Sequence, residues 1–112
     1  MDYRQRIETL QTRLRRKDIG GLLVAKPENR RYLCGYQGGD HGIHESSGVL
    51  LVPARGEVIL LTDFRFKLQA EREAPWVELL LYPRGLLQLL ASLLPNLGIK
   101  RLGFESHYTL HS

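Results

Sequence analysis

Cysteine is nearly absent from this chain, and that scarcity narrows the classes of protein it can belong to. Cys34 is the single cysteine among 112 residues, so no internal disulfide can form. Disulfides stabilise proteins of oxidising compartments, and a chain without them is typical of a reducing one. The sequence therefore predicts a cytoplasmic protein. No His–Asp arrangement surrounds Cys34, which favours a buried, inert thiol over a nucleophile.

Long hydrophobic runs are also missing, which argues against a membrane protein. No apolar run approaches the roughly 18 residues expected of a membrane span. The first residues are polar and amphipathic, unlike a secretory signal peptide. The apolar fraction of 43% and the charged fraction of 25% are ordinary for a globular chain of one domain with a modest core. We expect residues 1–112 to form that single domain, with no membrane partner.

A strong excess of one charge is lacking as well, since the net charge is only +4. Tyr3, Ile7, Leu10 and Leu14 recur at helical spacing and predict a helix that ends near Lys17. The basic residues scatter around the rest of this helix, whereas a nucleic-acid surface would concentrate them. A solvated helix face is the interpretation we favour, and no nucleic-acid partner is expected.

The rest of the chain is organised around residues 27–36, which begin with a proline and follow an apolar run. Residues 22–25 have strand length without polarity, which predicts a strand buried on both faces and ended by Pro27. Asn29 is the predicted N-cap of a short helix, with Tyr32 and Leu33 turned inward and Gly35 as a left-handed stop. The following loop, 37–47, should lie at the carboxyl end of a central strand, where open α/β sheets tend to place their sites.

The remaining chain alternates apolar strands with amphipathic helices. Residues 48–53 and 57–62 predict a hairpin closed at Gly56, and Asp63 or Thr62 predicts the cap of the next helix. That helix has two apolar sides, one with Phe66, Ala70 and Ala74 and one with Phe64 and Leu68, which predicts that it is wedged between the sheet and a neighbour. Further predicted elements are a strand at 76–82, a helix at 84–94, a turn at 95–98, a strand at 100–104 and the start of a helix at 106–112. Together they predict an α/β fold of three layers, α/β/α, around a mixed, mostly five-stranded sheet.

Three segments resemble signature motifs of one family, in its order and spacing. Residues 27–36 read Pro-Glu-Asn-x-Arg-Tyr-Leu-x-Gly-Tyr, and residues 61–66 with Gln69-Ala70 resemble Thr-Asp-x-Arg-Tyr…Gln-Ala, with Phe66 in place of Tyr. A weaker third match is Leu-Gly-Phe-Glu at 102–105. On these motifs the chain resembles the N-terminal domain of proline-specific metallopeptidases, the Xaa-Pro aminopeptidases and dipeptidases, with creatinase as a relative. The motif residues expected to have structural roles are Asn29, Tyr32, Leu33, Gly35, Asp63 and Arg65.

The resemblance implies a ribonuclease-H-like sheet and a catalytic site that lies in a separate, C-terminal domain. The family's divalent metal (Mn, Co or Zn) is held by two Asp, one His and two Glu of a C-terminal "pita-bread" domain, which no segment here resembles. We therefore expect residues 1–112 to be a truncated, non-catalytic domain that holds no cofactor and no metal ligand. The implied partners are its own catalytic domain, a second copy in a homodimer, and a short proline-containing peptide as the parent's substrate.

The loop after Tyr36 leaves three interpretations open. Asp40, His41 and His44 crowd ionisable groups together, and the two histidines have a spacing seen in metal sites. A solvated loop is the plainer interpretation, and the family resemblance adds a third, in which the loop lies over an active-site entrance and contacts the peptide's charged end. His107 and His111 indicate a helix end more than a ligand pair.

Two other functions compete with the peptidase domain. A free-standing small-molecule or protein-interaction domain on the same scaffold is the alternative, and an open reading frame carrying the family's metal ligands after Ser112 would discriminate against it. A nuclease of the ribonuclease-H type needs metal-binding carboxylates on its first strand, and residues 22–25 carry none.

Overall fold

The computed structural model describes residues 2–38, 48–82 and 85–105. In chain order, the described elements are α1 (Tyr3–Arg16), β1 (Gly21–Val24), α2 (Pro27–Cys34), β2 (Val49–Pro53), β3 (Ile59–Thr62), a 3₁₀ turn (Phe64–Phe66), α3 (Lys67–Glu73), β4 (Glu78–Leu81), α4 (Leu86–Asn96) and β5 (Leu102–Phe104). Every strand and every helix predicted inside these ranges is present, with the bounds given above. The helix start predicted at 106–112 lies outside the described residues.

The five described strands form one mixed sheet in the order β4-β3-β2-β1-β5. β1 and β3 both run antiparallel to β2, while β4 is parallel to β3 and β5 is parallel to β1. The predicted hairpin joins β2 to β3, and Gly56 in its connection has the positive φ of 97° that an L side chain rarely adopts. This topology confirms the predicted mixed sheet.

Helices cover both faces of the sheet, which confirms the three-layer prediction. Alternate residues of β2 point to opposite faces and all are buried, so the strand is apolar throughout. On one face the core joins α1, α2 and α3 to β1, β2 and β3, with Leu14, Leu22, Leu33, Leu50, Leu60 and Ala70 among its buried residues. On the other face α4 covers a smaller core built from Val49, Leu51, Ile59, Leu61, Leu90 and Ile99.

Two predicted helix ends were wrong. Lys26, and not Asn29, is the N-cap of α2, and Pro27 is its first residue, a position where the missing proline N–H removes no helical hydrogen bond. α4 continues through Pro95 to Asn96, where a turn was predicted. Pro95 sits in the last turn, and the backbone N–H of Leu97 still donates to the carbonyl of Leu93 at 3.0 Å.

The two apolar sides predicted around α3 have different surroundings. Ala70 and Ala74 are buried, and Phe66 packs partly buried against the same core. Phe64 and Leu68 are 80% and 78% exposed, so the part of the chain that the structure describes does not cover the second side. The prediction of a helix wedged on both sides is therefore wrong for the described chain.

Candidate functional site at the base of the glycine-rich segment

The carboxyl ends of four strands meet at one edge of the sheet. β1, β3, β4 and β5 share a direction, and β2 runs the opposite way. This edge therefore carries the first residues after those strands, including Asp63, Tyr82 and Glu105, together with Gly48 just before β2. Residues 39–47, which we call the glycine-rich segment, lie between Gly38 and Gly48. Asp40, His41 and His44 fall in this segment, outside the described residues, and their predicted roles stay predictions.

Arg30 is fully buried in α2 and binds backbone on both sides of the glycine-rich segment. Its guanidinium donates one hydrogen bond to the carbonyl of Gly48 and another, at 3.4 Å, to the carbonyl of Gln37. The guanidinium carbon also lies 5.2 Å from the centre of the Tyr36 ring. Sequence reasoning missed Arg30, because it is one of the two positions that the family motif leaves open.

Two side chains of α3 hold the start of the same segment. Gln69 donates from Nε2 to the Gly38 carbonyl at 2.9 Å and to Glu73 Oε2 at 3.2 Å. Glu73 Oε1 accepts from the backbone N–H groups of Gln37 at 2.8 Å and Gly38 at 3.5 Å. Gln69 belongs to the second family motif, and its amide binds the Gly38 carbonyl and the Glu73 carboxylate. Glu73 was not predicted.

The end of the segment is fixed by a close backbone approach at Gly48. Its φ is 142°, a region that L side chains rarely adopt. A Cβ atom at this position would lie 2.7 Å from the carbonyl oxygen of Leu61 on β3. Only glycine fits here without moving the strand. We call Arg30, Gln69 and Glu73, with the backbone of Gln37, Gly38 and Gly48, the segment base.

The first and third family motifs meet beside the segment base. The carboxylate of Glu105 accepts from the backbone N–H groups of Ala25 at 2.7 Å and Lys26 at 3.0 Å, and from the Asn29 side-chain amide. Lys26 makes no side-chain cap of its own. Glu105, the residue that follows β5, thus supplies the acceptor that the start of α2 needs, and Asn29 binds this residue instead of capping α2.

Tyr32, Leu33 and Gly35 fix the inner face and the end of α2. The Arg6 guanidinium lies 4.1 Å from the centre of the Tyr32 ring and donates to the Tyr32 carbonyl at 2.7 Å. Leu33 is 2% exposed. Gly35 ends the helix with φ of 91°, as predicted, and a Cβ there would approach the Glu73 carbonyl to 3.2 Å.

Asp63 and Arg65 form a local cap and ion pair. Asp63 Oδ1 accepts from the Arg65 backbone N–H at 2.8 Å, and Arg65 Nη2 lies 2.8 Å from Asp63 Oδ2. The hydrogen bond from the Arg65 side chain holds the pKa of Asp63 below its usual value. Burial raises the pKa of nearby Tyr82, and the Asp63 charge adds to that effect. This geometry is the predicted cap and ion pair.

No metal centre is present among residues 2–38, 48–82 and 85–105. Within those ranges, no group of three or more His, Cys, Asp or Glu side chains is placed to hold a metal ion. His107 and His111 lie outside the ranges. None of the described helices has the length and the apolar composition required to cross a membrane.

The comparisons with known proteins agree with this architecture. Residues 6–112 match the Creatinase/Prolidase N-terminal domain, so the chain belongs to that family. The chain is 30% identical over 102 residues to the uncharacterized peptidase YqhT of Bacillus subtilis, an alignment that covers 91% of this chain and 27% of YqhT. The chain thus spans about a quarter of the length of the curated relative it matches.

Solved structures give the same fold in domains of peptidases. The N-terminal domain of the cytoplasmic peptidase PepQ from Mycobacterium tuberculosis is 32% identical with a TM-score of 0.76, covering 92% of this chain and 74% of that one. The N-terminal domain of a putative metallopeptidase from Corynebacterium diphtheriae is 27% identical with a TM-score of 0.76, covering 96% and 79%. The Xaa-Pro dipeptidase from Bacillus anthracis is 26% identical with a TM-score of 0.77, covering 96% of this chain and 28% of the dipeptidase.

Proposed function

We propose that this chain is the non-catalytic N-terminal domain of a metal-dependent Xaa-Pro aminopeptidase or dipeptidase, and that it narrows the entrance to the active site. The observation that carries the proposal is the segment base. Gln69 of the second family motif binds Gly38, while Asn29 and Glu105 of the first and third motifs meet next to Arg30. Side chains of the motifs thus lie at and beside the described ends of the segment, and no described group of three or more His, Cys, Asp or Glu could hold a metal ion.

The proposed reaction is hydrolysis of the peptide bond before proline, and its chemistry belongs to a catalytic domain. A divalent ion, Mn, Co or Zn, held there would activate the attacking water. The contribution of this chain would be to admit short peptides. Asp40, His41 and His44 are suited to contact the charged end of such a peptide, because they combine a carboxylate with two imidazoles in a few residues. The parent enzyme would act in the cytoplasm.

Contacts with the catalytic domain and with a second copy are part of the same proposal. Support comes from Phe64 and Leu68, which are four residues apart and both largely exposed on the same apolar side. Exposed apolar side chains that cluster in this way mark surfaces where proteins associate. A symmetric dimer is the simplest assembly for such a surface.

The test replaces Asp40, His41 and His44 by Ala in a full-length peptidase that carries this domain. We expect KM for a Xaa-Pro peptide to rise about tenfold with a smaller loss of kcat, because these groups would contribute mostly uniform binding. Arg101→Ala is the matched control, since Arg101 precedes β5 and so lies at the opposite edge of the sheet.

Two outcomes would contradict the proposal. Unchanged kinetics in the triple variant would reduce the glycine-rich segment to a solvated connection. Loss of bound metal from the purified variant would mean that these residues lie nearer to the chemistry than an entrance does.

A further inference from the structure

We propose that Arg30 is a positioning residue that fixes the two ends of the glycine-rich segment relative to each other. Among the described residues, its side chain binds backbone on both sides of the segment, at Gln37 and at Gly48. Among the same described residues, Gln69 and Glu73 bind the starting side, at Gln37 and Gly38. Arg30 therefore connects the two ends directly.

The geometry requires the guanidinium fork and not simply a positive charge. Arg30 is 0% exposed, and a buried cation is tolerated only where hydrogen bonds compensate for the lost hydration. Its Nη1 and Nη2 atoms donate to different carbonyls, which belong to residues 18 and 7 positions further along the chain. A lysine ammonium is a compact point charge on a flexible stem and cannot hold two acceptors in a fixed planar arrangement.

The Tyr36 ring limits the orientations that this fork can adopt. The guanidinium lies over the ring at 5.2 Å, and Tyr36 is itself fully buried. Stacking on an aromatic face orients a planar guanidinium in a way it does not orient an ammonium. Arg30 is thus held by packing at one face while its two terminal nitrogens bind the two ends of the segment.

The family motif does not specify the buried arginine at position 30. The motif specifies arginine at the next position, and Arg31 is exposed at the surface. Arg30 occupies a position that the motif leaves open. Two consecutive arginines on one short helix therefore have opposite environments, and that difference provides a matched control.

The first experiment measures native-state cleavage of this chain by a glutamyl endopeptidase. Glu45 lies within the glycine-rich segment, and Glu8 lies in the middle of α1, where cleavage requires the helix to unfold. We expect Arg30→Met and Arg30→Lys each to raise the rate of cleavage after Glu45 by about tenfold, the effect of losing a charge-assisted hydrogen bond. Cleavage after Glu8 should change much less, and Arg31→Met should leave both rates unchanged.

The outcomes are decisive in either direction. Equal rates after Glu45 in folded Arg30→Met and the unaltered chain would overturn the proposal. A parallel rise at Glu45 and Glu8 would also overturn it, because Arg30 would then act on global stability alone. If urea unfolding shows that Arg30→Met does not fold, Arg30→Lys is judged by the same two criteria. Cleavage of Arg30→Lys after Glu45 at the rate of the unaltered chain would contradict the requirement for the guanidinium fork.

A kinetic consequence follows and rests on the proposed function. In a full-length peptidase carrying this domain, Arg30→Lys should raise KM for a Xaa-Pro peptide several-fold with kcat nearly unchanged. Because the cleavage experiment uses the chain alone, the two proposals fail separately. Faster cleavage after Glu45 with unchanged KM would retain Arg30 as a positioning residue and contradict the entrance role of the segment.

Discussion

Cys34 and Arg30 are both 0% exposed, and one carries a thiol while the other carries a positive charge. They belong to the same short helix, and their surroundings differ. Cys34 ends α2 among apolar residues, with the Trp76 indole N–H donating to its carbonyl at 3.3 Å. Burial raises the pKa of the Cys34 thiol from 9.0 to about 11. The thiol is therefore protonated at physiological pH and is a poor nucleophile.

Cys34 should react slowly with a thiol reagent until the protein unfolds. At pH 8, we expect the native chain to be labelled at least about a hundredfold more slowly than the chain in urea, because both the accessibility of Cys34 and its thiolate fraction are low.

The raised pKa of Cys34 also makes the stability of the fold depend on pH. The unfolded thiol ionises near pH 9 while the folded thiol stays protonated, so stability is complete below pH 9 and falls as the pH rises to about 11.

Cys34→Ala provides the control, since it lacks the titrating group. Its free energy of unfolding should fall less between pH 9 and 11 than that of the unaltered chain. Rapid labelling of the native protein, or equal alkaline slopes in the two proteins, would mean that α2 does not bury Cys34 in the core as the structure shows.

Residue patterns predicted apolar burial better than polar contacts. The helical spacing of Ile7, Leu10 and Leu14 identified a face that is buried, since periodicity reports directly which side chains share a face. Asn29 was misassigned because its partner, Glu105, is 76 residues away in sequence. Local cap preferences cannot anticipate an acceptor supplied by a distant strand. Arg30 gave no local signal either, because arginine is usually exposed.

At the level of elements, the described start of α3 leaves two large apolar side chains exposed. Its 3₁₀ entrance begins at Asp63 and presents Phe64, and its first turns present Leu68. Sequence reasoning found both apolar sides of this helix but could not tell which side the domain itself would cover. A side that packs in the core of the domain and a side that binds another molecule have the same apolar composition, so the sequence does not tell them apart.

Replacing Phe64 and Leu68 by Ser should weaken self-association of the domain. Sedimentation at increasing concentration should show a dimer of the unaltered chain and a dissociation constant at least about tenfold higher for the double variant, because the burial of two large side chains is lost. Stability should change little, since both side chains are already exposed.

Leu87→Ser is the control for general hydrophobicity. Leu87 is 81% exposed on α4, which covers the opposite face of the sheet. If Leu87→Ser weakened the dimer as much as the double variant did, the interface would not be the α3 side. A monomer at all concentrations in the unaltered chain would contradict the proposed dimer.

At the level of the whole molecule, alternating strands and helices predicted the architecture correctly. The hairpin at Gly56 made the sheet mixed, and the remaining crossovers placed helices on both faces. What the pattern could not supply is the segment base, because Arg30, Gln69 and Glu73 bind backbone that becomes adjacent only in the folded chain. The family motifs pointed to the part of the chain around the segment base. The structure gives the contacts that Arg30, Gln69 and Glu73 make there.

Under the proposed function, this domain positions a peptide and a catalytic domain performs the chemistry. The most direct measurement is hydrolysis of a Xaa-Pro dipeptide by the purified chain supplied with Mn²⁺, after circular dichroism has shown cooperative unfolding. We predict no release of proline above the rate with Mn²⁺ alone, because under the proposed function the metal ligands belong to a catalytic domain. Turnover that follows the chain through a second purification step, in proportion to its concentration, would contradict the account.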